Sequence, residues 1–299
     1  MEDWKKKADG ILSSGRIIIV IGAVDTGKTT LVAYLANRAA EGGKVVGIVD
    51  TDIGQSDIGP PTTIGLGMIK EPVERLQMIT PTALYFVGSL TPKGHLLPMV
   101  VGTRRMVEHA FQLGAQKVII DTTGLISQDL GFSLKTHKIE NIGASVIVSL
   151  QRGNEVERIL KVFEPFEGMK IYRLKVPREV KRRSIEERRI NRENSFKNYF
   201  KGAGLMEISF KETPILTPDP DSLYISPHEF EDLLVALLDE ENKVMALGII
   251  EEIDPILEVM KIRTPLLGKR KIALIKLSSF SLKSDFKCTP LGEYLIPYE

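Results

Sequence analysis

The stretch "IGAVDTGKTT", residues 21–30, constrains this chain more than any other. It follows the apolar run "RIIIV" and precedes "LVAYLANRAA", so it reads as strand, glycine loop, helix. Gly22, Gly27, Lys28 and Thr29 fill the pattern G-x-x-x-x-G-K-[ST]. In such a loop the glycines let backbone N–H groups turn toward phosphates, and the helix N-terminus adds its positive dipole end. Lys28 is expected to reach the β- and γ-phosphates and the Thr29 hydroxyl to coordinate Mg²⁺. Val24, Asp25, Thr26 and Thr30 complete the expected triphosphate cradle.

What surrounds the loop decides the fold class. "RIIIVIG" (16–22), "KVVGIVD" (44–50), "QKVIID" (116–121) and "ASVIVSL" (144–150) are unbroken apolar runs rich in Val and Ile, the pattern of strands buried on both faces. Helical spacing follows in 29–43 and 103–116. Strand–helix alternation predicts an α/β fold, a doubly wound parallel sheet of the P-loop NTPase kind. Beyond "FKGAGL" (200–205) the character changes to short β-like runs, with one helix expected over "PHEFEDLLVALLDEEN" (227–242). The division is therefore expected at 1–204 and 205–299, the second part a small β-rich C-terminal domain, read most simply as a structural module.

Composition excludes several function classes. One cysteine, Cys288, rules out an internal disulfide framework or a cysteine-rich zinc site, and the four histidines lack metal-ligand spacing. A net charge of +1 advertises no general affinity for nucleic acid, so any such partner needs a local patch. The N-terminus has no apolar signal core and no run approaches a membrane span, so the expectation is a cytoplasmic protein that meets no membrane.

Two further strands end in acids. "GIVDTDIGQSDIG" sets Asp50 and Asp52 two residues apart, facing the same way if the strand stays extended. "VIIDTTG" sets Asp121 at a strand end, where a carboxylate holds Mg²⁺ through its water shell. Either Asp50 or Asp52 can serve as the base that accepts a hydroxyl proton. The patch sought above is found in residues 173–201, with eleven Lys and Arg against four Glu. Its bias to arginine suits phosphate oxygens, either as a lid closing over the triphosphate or as a grip on a nucleic-acid backbone. The lid reading is favoured.

Together these segments resemble one family, the polynucleotide 5′-hydroxyl kinases of the mRNA cleavage-factor, tRNA-splicing and pre-rRNA-processing machineries. "GAVDTGKTT" looks like that family's phosphate loop, and "VDTDIGQSDIGPPTTIGLG" like its D-x-D-x-G-Q segment. "GSLTPKGH" (88–95) resembles its clasp, "IIDTTGLI" its D-T-x-G strand end, and "RRSIEERRINRENSFKNYF" its arginine lid (178–200). The resemblance covers 16–202 and implies transfer of the γ-phosphate of ATP to the 5′-hydroxyl end of RNA or DNA. It implies that Lys28 and Thr29 bind ATP and Mg²⁺, that Asp50 and Asp52 supply the base and a metal contact, and that Gln55 orders the metal or the attacking oxygen. Thr91, Pro92 and Gly94 would clasp the acceptor strand, with His95 beside them. Arg183 and Arg188 would be the lid arginines, with Arg189 and Arg192 toward the acceptor. Because the phosphate loop arrives by residue 22, the likeness is to compact prokaryotic members.

The rival readings make different demands. A switch-type ATPase that hydrolyses ATP shares the strand–loop–helix start, but predicts no arginine lid and usually carries an extra lysine where Ala23 and Val24 stand. A GTPase needs an N-K-x-D guanine reader where this chain has "QRGN" (151–154). A small-molecule kinase needs a compact acceptor pocket rather than an open clasp. Transfer, not hydrolysis, is the reading carried forward.

Overall fold

The computed structural model describes residues 2–217, 230–266, 268 and 270–290. The chain divides into two compact units, one comprising Met1–Tyr85 and Thr91–Glu187, the other Phe86–Leu90 and Arg188–Glu299.

The first unit opens with α1 (Glu2–Ser13), β1 (Ile17–Gly22), α2 (Lys28–Glu41) and β2 (Val46–Thr51). After these come β3 (Thr63–Ile69), β4 (Ala83–Phe86), α3 (Leu96–Gln112), β5 (Lys117–Thr122) and α4 (Gln128–Ile142). It closes with β6 (Val146–Gln151), α5 (Glu157–Phe163) and β7 (Lys170–Lys175). The sheet runs β4-β3-β2-β5-β1-β6-β7. Strands β2, β5, β1, β6 and β7 are mutually parallel, so all their C-terminal ends meet at one edge. The four strands expected from unbroken apolar runs are the four central ones, because only strands covered on both faces lose their polar alternation.

The sheet is mixed rather than wholly parallel. Strand β3 runs antiparallel to β2. The connection between them, residues 52–62, holds no helix, and a parallel return needs a crossover of a dozen or more residues, usually helical. Apolar residues of α1 (Trp4, Ala8, Ile11, Leu12) and α2 (Leu31, Val32, Leu35, Ala36, Ala39, Ala40) share one core with β1, β2 and β6. Both helices bury residues spaced three and four apart, the stripe expected of a helix on a sheet. Among the described residues, no helix is long and apolar enough to cross a membrane.

Helix α6 (Ile185–Tyr199) carries the chain into the second unit. There β8 (Gly204–Ser209), β9 (Ile215–Leu216), β10 (Leu233–Leu238), β11 (Val244–Asp254), β12 (Val259–Thr264), β13 (Leu274–Leu282) and β14 (Cys288–Pro290) follow. They form a sheet ordered β14-β13-β10-β11-β12-β8, antiparallel along that path, with β9 added parallel to β13. The helix expected over 227–242 is corrected: 233–238 is the strand β10, and 218–229 lie outside the described residues. Leu234, Ala236 and Leu238 enter one core and Leu233, Val235 and Leu237 another, so both faces of β10 are buried. A continuous apolar run cannot by its spacing tell such a strand from a buried helix.

Composition puts the joint near residue 200, whereas the packing places it after Glu187. The reason is Phe196 and Phe200 near the end of α6, which are buried with Phe86, Leu234, Leu247 and Phe280 in the second unit's core.

Candidate active site

The loop between β1 and α2 is shaped by two residues in the left-handed region, Asp25 at φ 53° and Gly27 at φ 85°. Among the described residues no side chain caps α2, and the first N–H groups of a helix are the ones that receive an anion. Lys28 is buried and its Nζ donates to the Ala23 carbonyl at 2.8 Å, back across its own loop. Thr26 Oγ1 donates to the same carbonyl at 2.9 Å. Burial holds the Lys28 ammonium below its ordinary range, opposed by Asp121, Asp52 and Asp25. Thr30 follows on the first turn of α2, and Val24 is exposed on the loop.

Strands β2 and β5 pair with Asp50 opposite Asp121 and Thr51 opposite Thr122, which sets two acids side by side at the sheet edge. The Thr29 hydroxyl donates to Asp121 Oδ2 at 2.5 Å. Asp121 Oδ1 accepts the Thr122 N–H at 2.8 Å. Burial raises Asp121, while Lys28 and the Thr29 hydroxyl pull it down. A hydroxyl and a carboxylate converging beside a phosphate cradle are the hard oxygen donors that Mg²⁺ takes, directly or through water.

Asp50 and Asp52 part company. Asp50 is 1% exposed, and both its oxygens are engaged. Oδ1 accepts the Asp52 N–H at 3.0 Å, and Oδ2 accepts from Asp57 N at 2.6 Å, Ile58 N at 3.0 Å and Ser56 Oγ at 3.2 Å. Burial pushes it up, with Asp121 and Asp57 adding repulsion, while the N–H groups donating to both oxygens favour the ionised form on which the loop is built. Its carboxylate thus ties down the loop that carries Asp52. That loop also lies against β3, where a Cβ on Gly65 would come within 1.8 Å of the Ile58 carbonyl oxygen. Asp52 is half-buried and accepts the N–H groups of Gly54 and Gln55 through Oδ1, at 3.3 and 3.2 Å. Gln55 turns its side-chain amide onto the Gly54 carbonyl at 2.7 Å.

Arg183 comes to the phosphate loop: its N–H donates to Asp25 Oδ2 at 3.1 Å, and its Nε lies 3.6 Å from Oδ1. Arg188, Arg189 and Arg192 lie on α6 in the second unit, where Arg189 pairs with Glu193 at 3.3 Å. The segment 88–95 crosses the division of the chain. Gly88 belongs to the second unit, its carbonyl accepting from the N–H and hydroxyl of Ser279 at 3.0 and 3.3 Å. Thr91, Pro92, Gly94 and His95 belong to the first. Gly94 has φ 76°, and His95 N–H donates to the Pro92 carbonyl at 2.9 Å just ahead of α3. Burial lowers His95, whose Nδ1 is buried without a hydrogen-bond partner among the described residues.

Three further groups stand at this edge, two of them, Asp57 and Arg152, given no role from the sequence, and the third, Trp4, read there as packing. Asp57 is raised to about 6, by burial first and Asp121 next, and accepts from the Gln77 amide. Its signal was present, a further acid three residues after Gly54. Arg152 donates to the Asp25 carbonyl at 2.5 Å from the turn after β6. Trp4 of α1 is buried against the loop, so that a Cβ on Gly27 would lie 3.4 Å from its ring. Trp4 is the only tryptophan of the chain. Its fluorescence is therefore expected to shift in intensity or wavelength when a nucleoside triphosphate fills the loop, with a midpoint matching calorimetric binding. Calorimetric binding with constant emission would mean that the loop does not move against α1.

Five parallel strands of a mixed sheet with this cradle at their C-terminal edge, and a strand-end carboxylate on a threonine in the first turn of the following helix, make the chain a P-loop nucleotide-binding protein. The particular branch follows from its likeness to known proteins. Residues 22–202 match the family model described as the mRNA cleavage and polyadenylation factor CLP1 P-loop, and the chain belongs to that family. It is 34% identical over 298 residues to the polyribonucleotide 5′-hydroxyl-kinase of Methanocaldococcus jannaschii, covering 83% of this chain and 81% of that one. It is 37% identical over 216 residues to the polyribonucleotide 5′-hydroxyl-kinase of Thermococcus kodakarensis, covering 72% of this chain but 60% of the relative. Among solved structures, Clp1p in its complex with Pcf11p shares the fold at a TM-score of 0.76, with 14% identity over 94% of this chain and 79% of that one.

Proposed function

We propose that the chain is an ATP-dependent polynucleotide 5′-hydroxyl kinase that acts on RNA, taking the γ-phosphate of ATP to the 5′-hydroxyl end. One observation carries the reading: Asp52 leaves β2 beside the Thr29–Asp121 pair, because β2 and β5 are in register at Asp50 and Asp121. The names of the archaeal relatives support RNA as the acceptor class.

In this reading the N–H groups of residues 22–30 and the Lys28 ammonium hold the β- and γ-phosphates, Lys28 exchanging the Ala23 carbonyl for phosphate oxygen. Thr29 and Asp121 hold Mg²⁺, with Asp52 and Gln55 completing its surroundings. The ion neutralises charge on the phosphates. Thr91, Pro92, Gly94 and His95 hold the acceptor end, and Arg189 and Arg192 its backbone. Asp52 accepts the proton as the 5′-oxygen bonds to the γ-phosphorus and the bond to the β-phosphate oxygen breaks, releasing ADP. Arg183 and Arg188 stabilise the charge of the moving phosphoryl group. Asp50 is left out of the proton transfer, since both its oxygens hold the loop.

Incubating γ-labelled ATP and Mg²⁺ with 5′-hydroxyl RNA and DNA oligonucleotides tests this. Label on the 5′ end, lost in Lys28→Ala and lowered about 10²–10³-fold in Arg188→Ala, is the expected result. Label recovered only as free phosphate, with or without oligonucleotide, would overturn it in favour of a switch ATPase.

A further inference from the structure

Helix α4 carries two lysines, Lys135 and Lys138, whose side chains are wholly buried. They stand three residues apart and so share one helix face. Lys138 Nζ donates to Thr51 Oγ1 at 2.9 Å, and that hydroxyl donates onward to the Asp121 carbonyl at 2.8 Å. Lys135 Nζ donates to the Thr123 carbonyl at 2.7 Å and reaches its hydroxyl at 3.2 Å. Each lysine therefore grips a residue next to or close behind a strand-end acid. Thr51 separates Asp50 from Asp52, and Thr123 lies two beyond Asp121.

Taking an ammonium out of water is costly, and a core helix gains more from leucine or methionine at such a position unless the charge or its donors are used. The surroundings supply the use. Asp50 and Asp121 are buried beside these lysines, and Asp52 and Asp57 belong to the same group of acids. Burial drives Lys138 down to about 7 against the pull of Asp52, Asp50 and Asp121, and drives Lys135 well below its ordinary value. The α4 lysines stand on the protein side of this group of acids, tied by hydrogen bonds to the strand ends that carry it.

We propose that Lys138 is a positioning residue for the transfer step, fixing through Thr51 the backbone from which Asp52 is aimed, with Lys135 doing the same for the strand end after Asp121. The proposal rests on the kinase reading and on Asp52 as its base. Neither lysine touches the reacting atoms.

The test is a double-mutant cycle on the full chain, Lys138→Met and Thr51→Val, read by transfer kinetics, ATP binding and hydrogen exchange of residues 50–58. Methionine keeps the length of lysine and fits an apolar core, and valine keeps the shape of threonine while removing the hydroxyl that Lys138 holds. Lys138→Met is expected to lower kcat about 10–100-fold, the range of support-residue losses, with ATP affinity and oligonucleotide KM within threefold of the wild type. Thr51→Val is expected to give a loss of similar size, and the double variant no more than either alone. Exchange in 50–58 is expected to quicken in all three variants. Unchanged kcat in Lys138→Met, or losses that multiply in the double variant, would overturn the proposal. If the wild type itself transfers no label, the kinase reading fails and the role in transfer falls with it; faster exchange in 50–58 would then show only that Lys138 holds this loop, and unchanged exchange would remove that hold as well.

Discussion

Asp52→Asn is expected to lower 5′-phosphorylation about 10²–10⁴-fold, the span that general-base catalysis covers, and to leave the melting temperature close to that of the wild type. Asp50→Asn is expected to do the reverse in kind, losing stability first and activity only as a consequence. The contrast follows from what each carboxylate holds. Asp50 accepts from three backbone N–H groups and one hydroxyl in a site closed to water. An amide there turns one acceptor into a donor facing N–H groups, and a buried group left unsatisfied costs about 1–3 kcal/mol. Asp52 makes its backbone contacts through Oδ1, which asparagine can mimic with its carbonyl oxygen. Thermal melts beside single-turnover transfer separate the two. A stable Asp50→Asn with transfer abolished, next to an active Asp52→Asn, would reassign the base.

That contrast marks how far the sequence could be read. Glycines, lysine and threonine at fixed spacing define the phosphate loop because the backbone path demands those residues, and Asp121 was legible as the acid closing a buried strand. What separates Asp50 from Asp52 is a loop that doubles back, Asp57 and Ile58 donating to a residue seven or eight positions earlier. Strand alternation treats the two acids alike, and no local rule reports that return. The α4 lysines were hidden for a related reason. "SLKTHKIENI" has the polar look of a solvated helix, and only the neighbouring strand ends show that its lysines point into protein. In the second unit, "LLVALL" carries no period at all once both faces are covered, so the strand read as a helix.

The second unit's packing leads to the other large expected effect, Phe196→Ala. Phe196 is fully buried on α6, its ring 6.5 Å from that of Phe280 and in one core with Phe86, Leu234 and Leu247. Truncating a buried phenylalanine costs about 3–5 kcal/mol. Three residues on, Tyr199 accepts the Leu247 N–H at 2.8 Å through its hydroxyl, a second tie between α6 and β11. The helix carries little of its own stability: its other faces are charged, and Arg188, Arg189 and Arg192 stand along it. Its hold on the protein is therefore this aromatic end. Phe196→Ala is expected to lower the melting temperature of the second unit, to leave ATP binding by the first unit within about twofold, and to cut transfer to oligonucleotide severely. The reason for that last loss is that three of the proposed arginines ride on α6. Differential scanning calorimetry with ATP titration and the transfer assay would read all three quantities on one preparation. Destabilisation with full transfer would mean that the arginines of α6 act without their anchor, and the lid reading would have to retreat to Arg183 on the phosphate loop.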